Sequence, residues 1–493
     1  MKNDKLLFSD SEWSFDLIEK TWAVIDDVAQ NEFGLTYPRP QMEMVSYEQM
    51  LDNYSSTGMP SMYNHWSFGK RFIKDHDDYV TGKSGLAYEM IINTDPAICY
   101  LMENNTMTMQ ALVMAHANCG HGSFFKNNYL FKEWTQPKSI LDYLVFAKKY
   151  IADCEYKYGE QLVEMTLDAA HSLKYNGIDT YKRKGHAKPD ELDRRKKEWL
   201  AHLNDSISPE WDVDQVKGKI KEVDNIIYRL GQDRRTFPEE NVLRFLEKYS
   251  PTLEVWQREI IRIVRKMAQY FYPQMQTKLM NEGWASFCHY KIMNRLYDKG
   301  HINDGSILEF LESHTGVCAQ PGYQRMAGFN PYALGFAMFR DIERVCTDPT
   351  EEDKEWFPEI AGVQDYMSVG KEIVELYRDE SFILKYLSPK VIRDFKMFSV
   401  HDDELLGHYR IDEVHDDDDI LSMREKLADQ YSINKLLPRL EITGVDWDDS
   451  RALEITQYVY DGKLLDHNSA SKTTDYLEYL WGYPIEWDAE EVT

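Results

Sequence analysis

Long segments of helical apolar spacing dominate this chain and constrain it more than any other feature. Leu253–Tyr270 and Gln274–Lys299 follow one another almost without a break. Segments of this kind hold their shape in water by burying an apolar stripe against neighbouring helices. Further helices are predicted at Ser11–Asn31, from Thr106, and at Ser139–Tyr158, Glu160–Tyr175, Asn241–Lys248, Gly335–Thr347 and Tyr366–Asp379. Strand signals are few. LAYEMII and AICYLMEN flank a turn at Asn93–Pro96, just before the helix that Thr106 or Thr108 would cap. Tyr37–Pro40 reads as a Pro-punctuated loop, and Ser56–Phe72 as an irregular, aromatic segment packed over something.

After Lys396 the texture changes. The short β-like runs HYRIDEV, RLEITGVDW and ALEITQYVY alternate with helices predicted at Asp418–Tyr431 and Ser469–Trp481. The expected organisation is therefore mainly α within an α+β class. A helical core over residues 1–400 includes a short β-sheet, and a small α+β domain occupies residues 401–493. Residues 182–238 are strongly charged and read as an exposed helical insertion or linker.

Composition narrows the function. Of 493 residues, 43% are apolar, enough for a large core and incompatible with wholesale disorder. Asp and Glu outnumber Lys and Arg by 84 to 57, a net charge of −27. That balance argues against nucleic acid or an anionic membrane as the main partner. No run of about 18 apolar residues occurs, so no membrane insertion is expected. The first residues show no signal-like apolar run, and the six cysteines form no C-x-x-C pair. Both features lead to the expectation of a cytoplasmic protein with reduced thiols.

The chemistry concentrates in two segments. The first is His116-Ala-Asn-Cys-Gly-His121, in which two imidazoles lie about one turn apart. In an ideal α-helix a five-residue step turns about 500°, or 140° net, so the pair would not share a face unless Gly120 ends or distorts the helix. The second is Asn281-Glu282-Gly-Trp-Ala-Ser-Phe-Cys-His289, where Glu282 and His289, seven apart, do share a face. Two histidines from one helix and a glutamate from a later one form the ligand logic of gluzincin zinc enzymes. The glutamate that follows the first histidine in H-E-x-x-H is replaced by Ala117. Water activation would then need a base from elsewhere, with Glu89, Glu103 and His289 as candidates. His65 and His171 are further candidates, each with core packing as the competing reading. His314 reads as a helix C-cap, and Cys119 and Cys288 as thiolate ligands or small core residues. No G-x-S-x-G, Walker A or G-x-G-x-x-G pattern is present.

Together the blocks PSMYNHWSFGKRF, TMQALVMAHANCGHGSFFKNNYLF, MNEGWASFCHY, LESHTGVCAQP, NPYALGFAMFRDIERVC and SFILKYLSPKVIRDFKMF resemble the SpoVR-like family, the stage V sporulation protein R group. The resemblance runs over roughly residues 10 to 400. It implies a mainly helical bacterial protein with a role in the spore cortex, and relatives in bacteria that make no spores. It further implies a link to a PrkA-like serine kinase. The family's histidine segment also lacks the H-E-x-x-H glutamate, and its EGWA stretch is similar to that of zincin-like families. The expectation is a zincin-like core with a divalent metal, zinc foremost, on His116, His121 and Glu282, and with Glu89 or His289 handling protons. Two functions follow: metal-dependent hydrolysis in cell-wall or stress physiology, or a non-catalytic interaction protein built on a degenerate metalloenzyme core.

Overall fold

The computed structural model describes residues 6–55, 59, 62–80, 89–179, 237–320, 328–403, 408–414, 416–447 and 449–492. The charged segment expected at 182–238 lies almost wholly outside them. The chain divides into two compact units, one formed by Met1–Glu164 with Gln269–Leu437, the other by Met165–Ala268 with Pro438–Thr493. Among the described residues helices predominate, with three small sheets. Among the described residues no helix is long and apolar enough to cross a membrane.

In the first unit, β1 (Pro40–Val45) lies parallel to β3 (Ala97–Met102), and β2 (Glu89–Ile92) lies antiparallel to β3 on its other side. Every residue of β3 is buried, which suits the continuous apolar run AICYLM at the centre of a sheet. Thr106 then caps the next helix, its hydroxyl accepting the amide of Met109 at 3.1 Å. That helix continues from Met107 to Asn127 but changes pitch midway: Met114–His121 is a π-helical stretch between α-helical ends. We call it the histidine helix. It packs on the glutamate helix, Lys278–Asp298, which in turn packs on Pro331–Thr347.

Glycines set how closely these helices approach. A Cβ built on Gly120 would lie 2.5 Å from Ala285 Cα, and one on Gly283 would lie 2.4 Å from the Gly335 carbonyl carbon. The backbones are in contact at both crossings. Gly120 therefore does not end its helix, as the sequence reading allowed; its missing side chain lets the backbone touch the glutamate helix at Ala285.

The segment WSFGKRF, expected to be irregular, begins the helix Trp66–Val80. The helix expected over Tyr366–Asp379 stops at Leu376; Tyr377 and Arg378 are extended, and Asp379 opens the next helix, Asp379–Tyr386. Strand β4 (Phe398–Asp403) pairs antiparallel with β5 (His408–Glu413). At the corner beyond Pro331–Thr347, Asp353 and Thr350 form a capping box, and Arg344 donates to both Asp353 oxygens at 2.6 and 2.7 Å. Burial works to raise the Asp353 pKa, but Arg344 and Thr350 outweigh it and bring it down to about 2. A folded pKa below the unfolded one stabilises the fold above pH ~4 and loses that contribution as pH falls toward 2. The depression corresponds to about 2 kcal/mol. Denaturant titrations should therefore show Asp353→Asn less stable than wild type at pH 7 by at least that amount, with the gap narrowing as pH approaches 2.

In the second unit, β6 (Arg439–Val445) is antiparallel to β7 (Leu453–Tyr460), and β8 (Ile485–Val492) is parallel to β7. A parallel return needs a crossover, which the helix His467–Trp481 provides. Its last residue, Trp481, is fully buried and donates its indole N–H to the Arg451 carbonyl at 2.7 Å.

Candidate metal centre

The π-helical pitch resolves the five-residue problem. Hydrogen bonds in such a turn run from residue i to i+5, as from the Gly122 amide to the Ala117 carbonyl. Residues five apart thus fall one above the other, and His116 and His121 come to the same face. Their Nε2 atoms are 3.0 Å apart. From the glutamate helix, Glu282 Oε2 lies 3.8 Å from His116 Nε2 and 3.4 Å from His121 Nε2. Both histidines are buried, and Glu282 is largely so.

Each of these groups is held from behind. His121 Nδ1 donates to Asn281 Oδ1 at 2.9 Å. His116 Nδ1 is 2.7 Å from His289 Nδ1, and His289 Nε2 is 2.8 Å from His314 Nδ1. The Tyr332 hydroxyl reaches Glu282, and its ring lies nearly parallel to that of His116 with centroids 6.4 Å apart. The glutamate helix is fixed at its start by Asp379, whose two oxygens accept the Leu279 and Met280 amides at 2.8 Å each. It is fixed again at Trp284, whose indole N–H donates to Ser123 Oγ on the histidine helix. Burial pushes the Asp379 carboxyl up to about 7 despite those two amides. Asp379→Ala would strand both amides in a buried helix start, and thermal melts should show a loss of about 2–4 kcal/mol.

The surroundings set the charge on Glu282 and on the imidazoles behind the site. Burial works to raise the Glu282 pKa, but His121, His116 and Tyr332 outweigh it and hold the carboxylate ionised. Burial, then the neighbouring imidazoles, hold His289 well below the ordinary histidine range. Burial, His116 and Arg340 lower His314 to about 4. Burial raises the thiols of Cys119 and Cys288, and pushes Cys318 up to about 12, so these sulfurs stay protonated.

The donor set fits a divalent ion. A tetrahedral ion with bonds of about 2.0–2.2 Å keeps its ligand atoms roughly 3.3–3.6 Å apart, and the three separations here are 3.0, 3.4 and 3.8 Å. Glu282 Oε2 is buried and no donor meets it in hydrogen-bonding geometry. An orphaned buried carboxylate oxygen is costly unless a cation compensates it.

The remaining sequence candidates fall elsewhere. Glu89 opens β2 opposite Leu101, and its side chain lies outside what the structure describes. Glu103 follows β3 and is exposed. His289 sits behind His116, away from the ligating Nε2. His65 stands before the helix Trp66–Val80 with Nδ1 2.6 Å from Ser67 Oγ. His171 lies in the last turn of Glu160–Ser172, within the second unit. The His314 side chain turns inward to His289 instead of capping its helix. Asn281, His314, Tyr332 and Asp379 gained no role at the site from sequence. Asn281 alone stood beside a motif residue, and the other three arrive from distant helices.

A comparison with known proteins finds the uncharacterized protein YcgB of Escherichia coli (strain K12), 46% identical over 490 residues, covering 98% of this chain and 94% of the relative. No solved structure matches the chain. Residues 12–436 match the SpoVR like protein family, and residues 438–490 match the SpoVR-like C-terminal domain. On that coverage, the chain belongs to the SpoVR-like family.

Proposed function

We propose that this protein is a metal-dependent enzyme of hydrolytic type, with a zincin-like centre on His116, His121 and Glu282. The observation that carries this reading is the convergence of two imidazole Nε2 atoms on a buried carboxylate oxygen that has no hydrogen-bond donor. Two imidazoles and one carboxylate suit zinc, with iron and manganese next in order. A bound ion would supply Lewis acidity toward water and a substrate carbonyl or similar group. The protein's own part is orientation and charge. Asn281 fixes the tautomer of His121, Glu282 contributes the negative charge, and the Tyr332 hydroxyl donates into the site. Glu89 is the carboxylate we assign to proton transfer, in place of the glutamate that Ala117 replaces. Both nitrogens of His289 are engaged with histidines, which favours a supporting role over proton transfer to substrate.

The family name supports a role in spore-cortex or cell-wall development, or in a stress programme. The six cysteines, which form no disulfide, support a cytoplasmic address, so intracellular precursors or regulators are the targets in this reading. A second reading rests on Ala117: without a base beside His116, the centre would be structural and the protein would act through partners such as a PrkA-like kinase. Elemental analysis of the purified protein tests the centre. One equivalent of zinc, iron or manganese in wild type, lost in both His116→Ala and Glu282→Ala, is expected. A metal-free wild type after reconstitution would sink the reading.

A further inference from the structure

His116, His289 and His314 form a buried row of imidazoles, each at most 5% exposed. They are joined Nδ1 to Nδ1 and then Nε2 to Nδ1, at 2.7 and 2.8 Å. A neutral imidazole has one N–H and one acceptor nitrogen, so each contact needs one donor and the row has two consistent proton arrangements. In the inward arrangement His314 Nδ1–H donates to His289 and His289 Nδ1–H to His116. His116 Nε2–H then donates to His121 Nε2, and His121 Nδ1–H ends the chain on Asn281 Oδ1. Every bond is made, but His116 Nε2 is capped by a proton. In the outward arrangement His116 Nδ1–H donates to His289, His289 Nε2–H donates to His314, and His116 Nε2 is bare.

We infer that His289 and His314 form a tautomer relay that switches from inward to outward when a metal ion takes His116 Nε2, so that His314 positions a ligand it does not touch. This inference rests on the metal reading above. The proton count closes: one proton leaves His116 Nε2 for water, two shift along the existing hydrogen bonds, and one is taken up from water at His314 Nε2. All three rings are neutral before and after. Outer partners of ligating histidines are known to tune affinity in this manner, commonly by 10- to 100-fold.

The test uses the full-length protein with zinc as the probe. Zinc affinity is measured by chelator competition for wild type, His314→Phe and His314→Asn, and ring protonation is followed by 15N spectra of histidine-labelled protein. Phenylalanine suits a pocket already lined by Phe310, Tyr290 and Phe336 but removes the acceptor; asparagine keeps an acceptor close to the Nδ1 position. Zinc binding is expected to weaken 10- to 100-fold in the Phe variant and to return to within about threefold of wild type in the Asn variant. In wild type, zinc should move the His314 proton from Nδ1 to Nε2. Zinc bound equally by all three proteins, or lost equally from both variants, would overturn the relay and leave the metal reading standing. No zinc binding by wild type would overturn both.

Discussion

Gly283→Ala should cost the protein about 3–5 kcal/mol, near the top of the range for a single methyl group. The added carbon would lie 2.4 Å from the Gly335 carbonyl carbon and 2.5 Å from Gly335 Cα. Both obstacles are backbone, so no side-chain rotation relieves them. The partner position is as tight, since a Cβ on Gly335 would lie 2.3 Å from the Leu279 carbonyl oxygen. The helices Lys278–Asp298 and Pro331–Thr347 would have to separate by about 1 Å, disturbing packing along their whole contact. Glu282, the adjacent residue, would move with its helix. Thermal melts should show a drop of about 4–7 °C. Gly300→Ala is the control: its φ of 75° strains any side chain, but nothing lies within 4 Å, so it should cost only about 1 kcal/mol. If Gly283→Ala melted within 2 °C of wild type, the close crossing would be wrong.

The other large effect concerns stability in the presence of metal. An ion that binds only the folded state stabilises it by about 4 kcal/mol at a thousandfold excess over its dissociation constant. Wild type should show that gain when zinc is added to chelator-treated protein. Glu282→Gln should show almost none of it. Without zinc, the same variant should melt slightly below the wild-type temperature, because it replaces a carboxylate that His121, His116 and Tyr332 hold ionised with a neutral amide. The signature is therefore a gap that widens with metal: small without zinc, about 4 kcal/mol larger with it. A zinc-dependent gain of equal size in both proteins would remove Glu282 from the ligand set.

Much of the helical scaffold was legible, because amphipathic spacing and cap residues act locally. Thr106, Ser139 and Asn241 all stand at the helix starts where the sequence placed them. Strands β3, β5, β6 and β7 were legible as short apolar or alternating runs. Strand β1 was not: Pro40–Val45 follows a Pro-rich turn, and its pairing partner is more than 50 residues away. Strand β8 was missed because IEWDAEEV is acidic and mostly exposed, so burial left no pattern to read. Within the candidate centre, residue types sufficed to single out His116, His121 and Glu282. Sequence could not supply the supporting shell, because Asp379, His314 and Tyr332 reach the glutamate helix from other parts of the fold. The helix over Tyr366–Asp379 was drawn too long for the same reason: Asp379 leaves it to cap Leu279 and Met280.

The π turn between Met114 and His121 amounts to one residue more than a regular helix would carry. A regular helix brings residues four apart to one face, so the extra residue and the wider turn together let a five-residue spacing pair the two histidines. Loss of Asn118, for instance, would return the turn to α pitch, bring the two imidazoles to a four-residue spacing that still shares a face, and leave the downstream helix in register. In this chain an added residue and a widened turn offset each other: the spacing along the sequence differs from that of H-E-x-x-H, and the shared face in space does not.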